Sequence, residues 1–132
     1  MASRHHSRRH DERGQTSIEW AIIFPVFLLV ILAAVQAAGY YHAKNAAQSA
    51  AAACAEHARG ETSNGAQGRQ SAASIISQSV AMDSYAVDVS AAGDQVTCTV
   101  SGQAHVIIDL GGLASISQSA AMPKERVTRT PG

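Results

Sequence analysis

Glu19 and Trp20 stand at the mouth of an apolar run, Trp20 to Gly39, WAIIFPVFLLVILAAVQAAG, which has no charged side chain and Gln36 as its single strongly polar one. A carboxylate in that position loses hydration as the helix enters lipid or packs into a bundle, and ionisable groups in such places are usually kept for function. The plainer reading is an interfacial residue near the positive end of a helix dipole, where a carboxylate is mildly favourable. Cys54 and Cys98 both lie beyond the run. In an oxidising compartment a bridge between them would close a loop of about 45 residues and contribute about 2 to 4 kcal/mol; as reduced thiols they would be ordinary small core residues. His5, His6 and His10 could touch a metal, but they lie in a basic leader without a structured ligand set. C-x-x-C, H-E-x-x-H, G-x-S-x-G and G-x-x-x-x-G-K-[ST] are all missing, and His42, His57 and His105 have no nucleophile signature beside them. The expectation is a protein that is not an enzyme and has no cofactor or metal site.

The element that must position Glu19 is the apolar run itself. Twenty helical residues rise about 30 Å, the hydrocarbon thickness of a bilayer. A buried helix of a soluble protein is the alternative, but the rest of the chain is too rich in alanine and serine to surround a segment apolar on every face. Arg4, Arg8, Arg9 and Arg13 precede the run, and the first basic residue after it is Lys44, so the positive-inside rule keeps the N-terminus in the cytoplasm and puts the remainder outside. The basic cluster stops at residue 14 and has no folded basic face, which argues against nucleic acid. A cleaved secretory signal would show a similar order, with Val35-Gln36-Ala37 as its small-residue site and Ala38 as the new N-terminus, although its apolar stretch would usually be shorter. Pro25 lacks an amide donor and obstructs the carbonyl of Ala21, so it should kink the helix or loosen one turn.

The spacing around the junction adds more. Arg13-Gly14 precedes Gln15-Thr16-Ser17-Ile18, then come Glu19, Trp20 and, six residues after the glutamate, Pro25. This resembles a class III prepilin signal, and more closely the TadE-like minor pilins of the tight-adherence (Flp) pilus system, which share a G-x-x-x-x-E-[aromatic]-x-x-x-x-P pattern at the start of a long hydrophobic helix. The resemblance covers about residues 13 to 58. It implies that a membrane prepilin peptidase cuts after Gly14, leaving Gln15 as the mature N-terminus. In that context Glu19 would neutralise the α-amino group of Gln15 on a neighbouring subunit in a low dielectric and register the packed helices. Cyclisation of the glutamine would remove that amine.

Past Gly39 the helical pattern continues, with Tyr40, Ala43, Ala47, Ala50, Ala51, Cys54 and Ala58 on one stripe. One helix is expected from about Thr16 to Arg59. Gly60 to Gly68 reads as a loop, Ala66 to Met82 as a second, amphipathic helix with Ala72, Ile75, Ile76, Ser79, Val80 and Asp83 on one face. From Tyr85 the period becomes two, with Val87 and Val89 on the same side. Gly93-Asp94 offers a hairpin turn into Val96, Cys98 and Val100, Gly102 marks a bulge before Ala104, Val106 and Ile108, and a last strand spans about Ala114 to Ala121. Both cysteines then face one core. The fold class is α+β: a long N-terminal transmembrane helix continuing outside the membrane, a short helix and a small antiparallel sheet. The divisions are a basic cytoplasmic leader at 1–14, a transmembrane helix at 15–39, an extracytoplasmic domain at 40–122 and a flexible tail at 123–132.

These readings converge on a membrane-anchored pilin-like subunit contributing to pilus assembly or adhesion. Its processing site is Gly14 and Gln15, its assembly residues are Glu19, Trp20 and Pro25, and its partners are the prepilin peptidase, other pilin-like subunits, the tight-adherence machinery and the bilayer. It would sit in the cytoplasmic membrane or, after processing, in a surface filament. The alternatives are a secreted binding domain with a cleaved signal and a single-pass scaffold that is never processed.

Overall fold

The computed structural model describes residues 12–60, 65–109 and 111–126, with side chains from Ser17 onward. Residues 1–11 of the expected leader, 61–64 of the expected loop and 127–132 of the expected tail lie outside the described residues. The elements are α1 (Glu12–Ala58), α2 (Gly65–Ser79), β1 (Met82–Ala92), β2 (Gln95–Ala104) and β3 (Ser115–Pro123), an α+β chain. It divides into two compact units, Met1–Val35 and Gln36–Gly132.

Helix α1 begins four residues before the expected start at Thr16. Glu12, Arg13 and Gln15 are good helix formers, and a glutamate in the first turn suits the positive end of the dipole. Gly14 costs about 1 kcal/mol in a helix, and Gly14 and Gln15 nonetheless have helical backbone. The helix continues through Pro25 and on to Ala58.

In the second unit, the alanine stripe of α1 lies at the core. Ala43, Ala47, Ala50, Ala51, Cys54 and Ala55 are completely buried, with Ala72 and Ile76 of α2 and Val96, Cys98 and Val100 of β2. Small side chains bring backbones close. A Cβ on Gly68 would stand 2.7 Å from the Cys54 carbonyl oxygen and 3.1 Å from its sulfur, so this position has no room for a methyl group without backbone movement. Gly68, where the expected loop and the expected second helix overlap, is a buried residue of α2. That helix also ends earlier than expected. Val80 has a φ of 49° and is exposed, and Met82 and Asp83 already belong to β1. The expected helical face therefore lost Val80 and Asp83, because the chain reverses in a left-handed residue directly after Ser79.

The three strands form an antiparallel meander in the order β1-β2-β3. Ala92 pairs with Gln95 across Gly93-Asp94, and Gly93 has a φ of 58°. Glycine at the first of two turn positions suits the left-handed conformation that the strand twist demands. Val96, Cys98 and Val100 are buried while their neighbours are not, and Val89, Val87, Ala120 and Gln118 share their face by register. The bulge lies on β1 between Met82 and Ser84, not at Gly102. Gly102 supplies room for it: an added Cβ would collide with the Ser84 carbonyl oxygen and come within 2.6 Å of the Met82 methyl group.

The expected continuation of the second strand through Val106 and Ile108 is not found; β2 stops at Ala104. The reason lies in who claims the backbone. His105 N–H donates to Ala81 O at 2.9 Å and Ala104 N–H to Ala114 O at 2.8 Å, and the next groups bond to a side chain of α1. At the other end of the sheet the tail begins later than expected. Pro123 closes β3, Lys124 N–H donates to Asp94 O at 2.9 Å and Glu125 N–H to Arg59 O at 3.0 Å. The Glu125 carboxylate meets Arg59 at 3.1 Å and the Asp94 carboxylate meets Arg126 at 3.0 Å.

Candidate membrane and assembly segment

From Trp20 to Val35, eleven large apolar side chains are exposed: Trp20, Ile22, Ile23, Phe24, Val26, Phe27, Leu28, Leu29, Val30, Ile31 and Val35. Covering such a side chain is worth about 1.5 to 3 kcal/mol. Leaving all of them in water would cost on the order of 15 to 30 kcal/mol by the same measure, more than the whole stability of a typical domain, about 5 to 15 kcal/mol. The segment therefore requires an apolar surrounding. Among the described residues, one helix is long and apolar enough to cross a membrane, and none of its apolar window is buried within the protein. A soluble core helix would be mostly covered.

Glu19, Trp20 and Pro25 are all exposed on this helix. Among the described residues the ion pairs involve Arg59, His105 and Arg126, and none reaches Glu19. Gln15 and Glu19 are four residues apart in helical backbone, which puts them on one face about 6 Å apart along the axis. A cut between Gly14 and Gln15 would put a new amine in the turn beside that carboxylate.

Cys54 and Cys98 are paired, with Cα atoms 6.0 Å apart and 44 residues between them in sequence. Their positions follow from two different periodicities, the helical stripe of α1 and the alternation of β2, that meet in one core. Both are fully buried, and with Val100 they are the largest side chains that are. The histidines are scattered. His42 Nε2 lies 3.4 Å from Ser79 O, His105 bonds to Asp83, and His57 borders a shallow surface hollow with Gln67, Gln70, Ser71 and Ser74. Among the described residues no three His, Cys, Asp or Glu side chains gather as a metal site.

One contact was not foreseen. Gln36, on α1 at the end of the apolar run, donates from Nε2 to Ile108 O at 2.8 Å and accepts the Ile107 N–H on Oε1 at 2.8 Å. Both ends of its amide are thus used by a backbone more than 70 residues later. The available signal was the oddity itself, since an amide in an apolar run needs a partner. Sequence spacing could not name that partner.

An exposed apolar helix long enough for a bilayer, continuing into a small α+β domain of its own core, is the class of structure expected of a pilin-like membrane subunit. Residues 14–56 match the family model described as TadE-like protein, so that segment is similar to this family. The match starts at Gly14, takes in Glu19, Trp20 and Pro25, and ends within the last turn of α1. No curated protein and no solved structure matches the chain.

Proposed function

We propose that this protein is a membrane-anchored structural subunit of a tight-adherence pilus system, cut by a prepilin peptidase between Gly14 and Gln15 and incorporated through its apolar helix into an assembly that serves adhesion. The observation that carries this reading is the TadE-like match over residues 14–56, which opens at the proposed cut and covers the whole exposed apolar segment. The basic residues before Gly14 support a cytoplasmic N-terminus with the domain outside. There the Cys54–Cys98 disulfide is stable in the mature protein. The role is structural: Glu19 registers neighbouring helices by pairing with the amine of Gln15, and Trp20 and Pro25 shape the packing surface around it.

Removal of the helix by signal peptidase, leaving Ala38, is the competing reading. Against it stands Gln36, whose amide holds Ile107 and Ile108 and would be lost with the cleaved segment. Intact-mass measurement of the cell-associated protein separates the two. The proposed processing gives a chain starting at Gln15, whereas a chain starting at Ala38 would overturn it and a chain retaining the leader would make the protein an unprocessed scaffold.

A further inference from the structure

The side chains of Ile107 and Ile108 are 68% and 46% exposed, Leu113 is 73% exposed and Tyr41, on α1, is 61% exposed. These four stand within the second unit, whose other large aliphatic residues are mostly drawn into the core. The backbone that carries the two isoleucines is fixed. Gln36 holds it with one donor and one acceptor bond, each 2.8 Å. Three residues further along α1, a Cβ on Gly39 would lie 3.3 Å from His105 O, so glycine lets this backbone rest directly on the helix.

We infer that Ile107, Ile108 and Leu113 form a shallow lipid-binding edge that enters the boundary between headgroups and acyl chains. The inference rests on the reading of Trp20 to Gly39 as a membrane span. Counted from Trp20, about twenty residues are needed to cross the hydrocarbon, so the far boundary falls near Gly39. Gln36 then lies about 4.5 Å inside it, and a chain bonded to Gln36 is held at the depth where interfacial elements bury their apolar side chains, about 5 to 10 Å. The nearby polar groups are compatible with that depth. The Asp109 carboxylate accepts the Gly112 N–H at 3.1 Å, and Asp83 pairs with His105, so both carboxylates have partners at headgroup level. Lipid is the occupant because Gln36, which holds the two isoleucines, belongs in sequence to the apolar run that ends at Gly39. A protein partner would need roughly 800 Å² on each side for a stable interface, far more than three side chains provide.

Single-tryptophan quenching tests this in the full chain, whose one tryptophan is Trp20. In a Trp20→Phe background, Leu29→Trp, Ile107→Trp, Leu113→Trp and Gln95→Trp are each reconstituted at low protein density in phosphatidylcholine–phosphatidylglycerol vesicles carrying brominated lipid. Ile107→Trp and Leu113→Trp should be quenched at least about twofold more than the exposed control Gln95→Trp, and most strongly by bromine placed high on the acyl chain. Quenching at Leu29→Trp with both edge positions at the control level overturns the inference and leaves the membrane reading standing. An unquenched Leu29→Trp overturns the membrane reading and the inference with it. Blue-shifted but unquenched emission at the edge positions means that protein, a second copy included, covers them, and this also overturns the proposal.

Discussion

Glu19 is a carboxylate whose value depends on its surroundings. Exposed on an apolar helix and without an ion-pair partner among the described residues, it costs little in water and much in lipid, unless a cation meets it there. Glu19→Ala should therefore insert and mature normally but be recovered from sheared filaments about a hundredfold less or lower, the scale of removing one partner of a desolvated charge pair, about 3 to 5 kcal/mol. Equal recovery of variant and parent would remove Glu19 from assembly. Val80 is a different case, a β-branched residue held at φ 49° where α2 ends. A left-handed conformation costs an L-residue about 1 to 2 kcal/mol, and part of that gain is offset by the greater freedom of glycine in the unfolded chain. Val80→Gly should stabilise the domain by about 1 kcal/mol, read as a higher urea midpoint; a lower midpoint would mean that the exposed valine contributes packing. The hydrophobic pattern gave no hint of this position, because a valine fits an apolar stripe and a helix end is decided by which backbone groups find partners.

At the scale of elements, α1 is one helix with two different coverings. Its first part is covered with large apolar side chains and its later part with alanines. Alanine buries little area but lets α2 and the sheet come close, and the Cys54–Cys98 bridge adds a covalent link where few large side chains are available. Replacing both cysteines by alanine should lower stability by about 2 to 4 kcal/mol and make the domain more sensitive to protease without changing membrane insertion. Non-reducing peptide mapping is the direct check, and recovering the two cysteine peptides separately, each alkylated without reduction, would show that the mature protein has no such bridge.

For the whole molecule, the proposed processing is separable from anchoring. The apolar helix requires a membrane or a helical assembly whether or not the leader is removed, so Gly14→Leu should leave a full-length protein in the membrane fraction that is not cut. Mass spectrometry of that fraction decides it: a variant that still matures to Gln15 would place the determinant of cleavage elsewhere. Much of this architecture was legible in the residues. The length and uniform apolarity of Trp20 to Gly39, the alanine stripe, the alternation of Val96, Cys98 and Val100 and the Gly93-Asp94 turn each follow from local periodicity, and the Gly14, Glu19 and Pro25 spacing led to the TadE-like resemblance. Tertiary structure alone decided that Gly68 is pressed against Cys54, that the bulge faces Gly102 from β1, and that the chain leaves the sheet at Ala104. Each depends on a contact between residues far apart in sequence, as when the Gln36 amide takes the backbone groups of Ile107 and Ile108. Periodicity tells which way a side chain faces, but not which distant backbone will meet it.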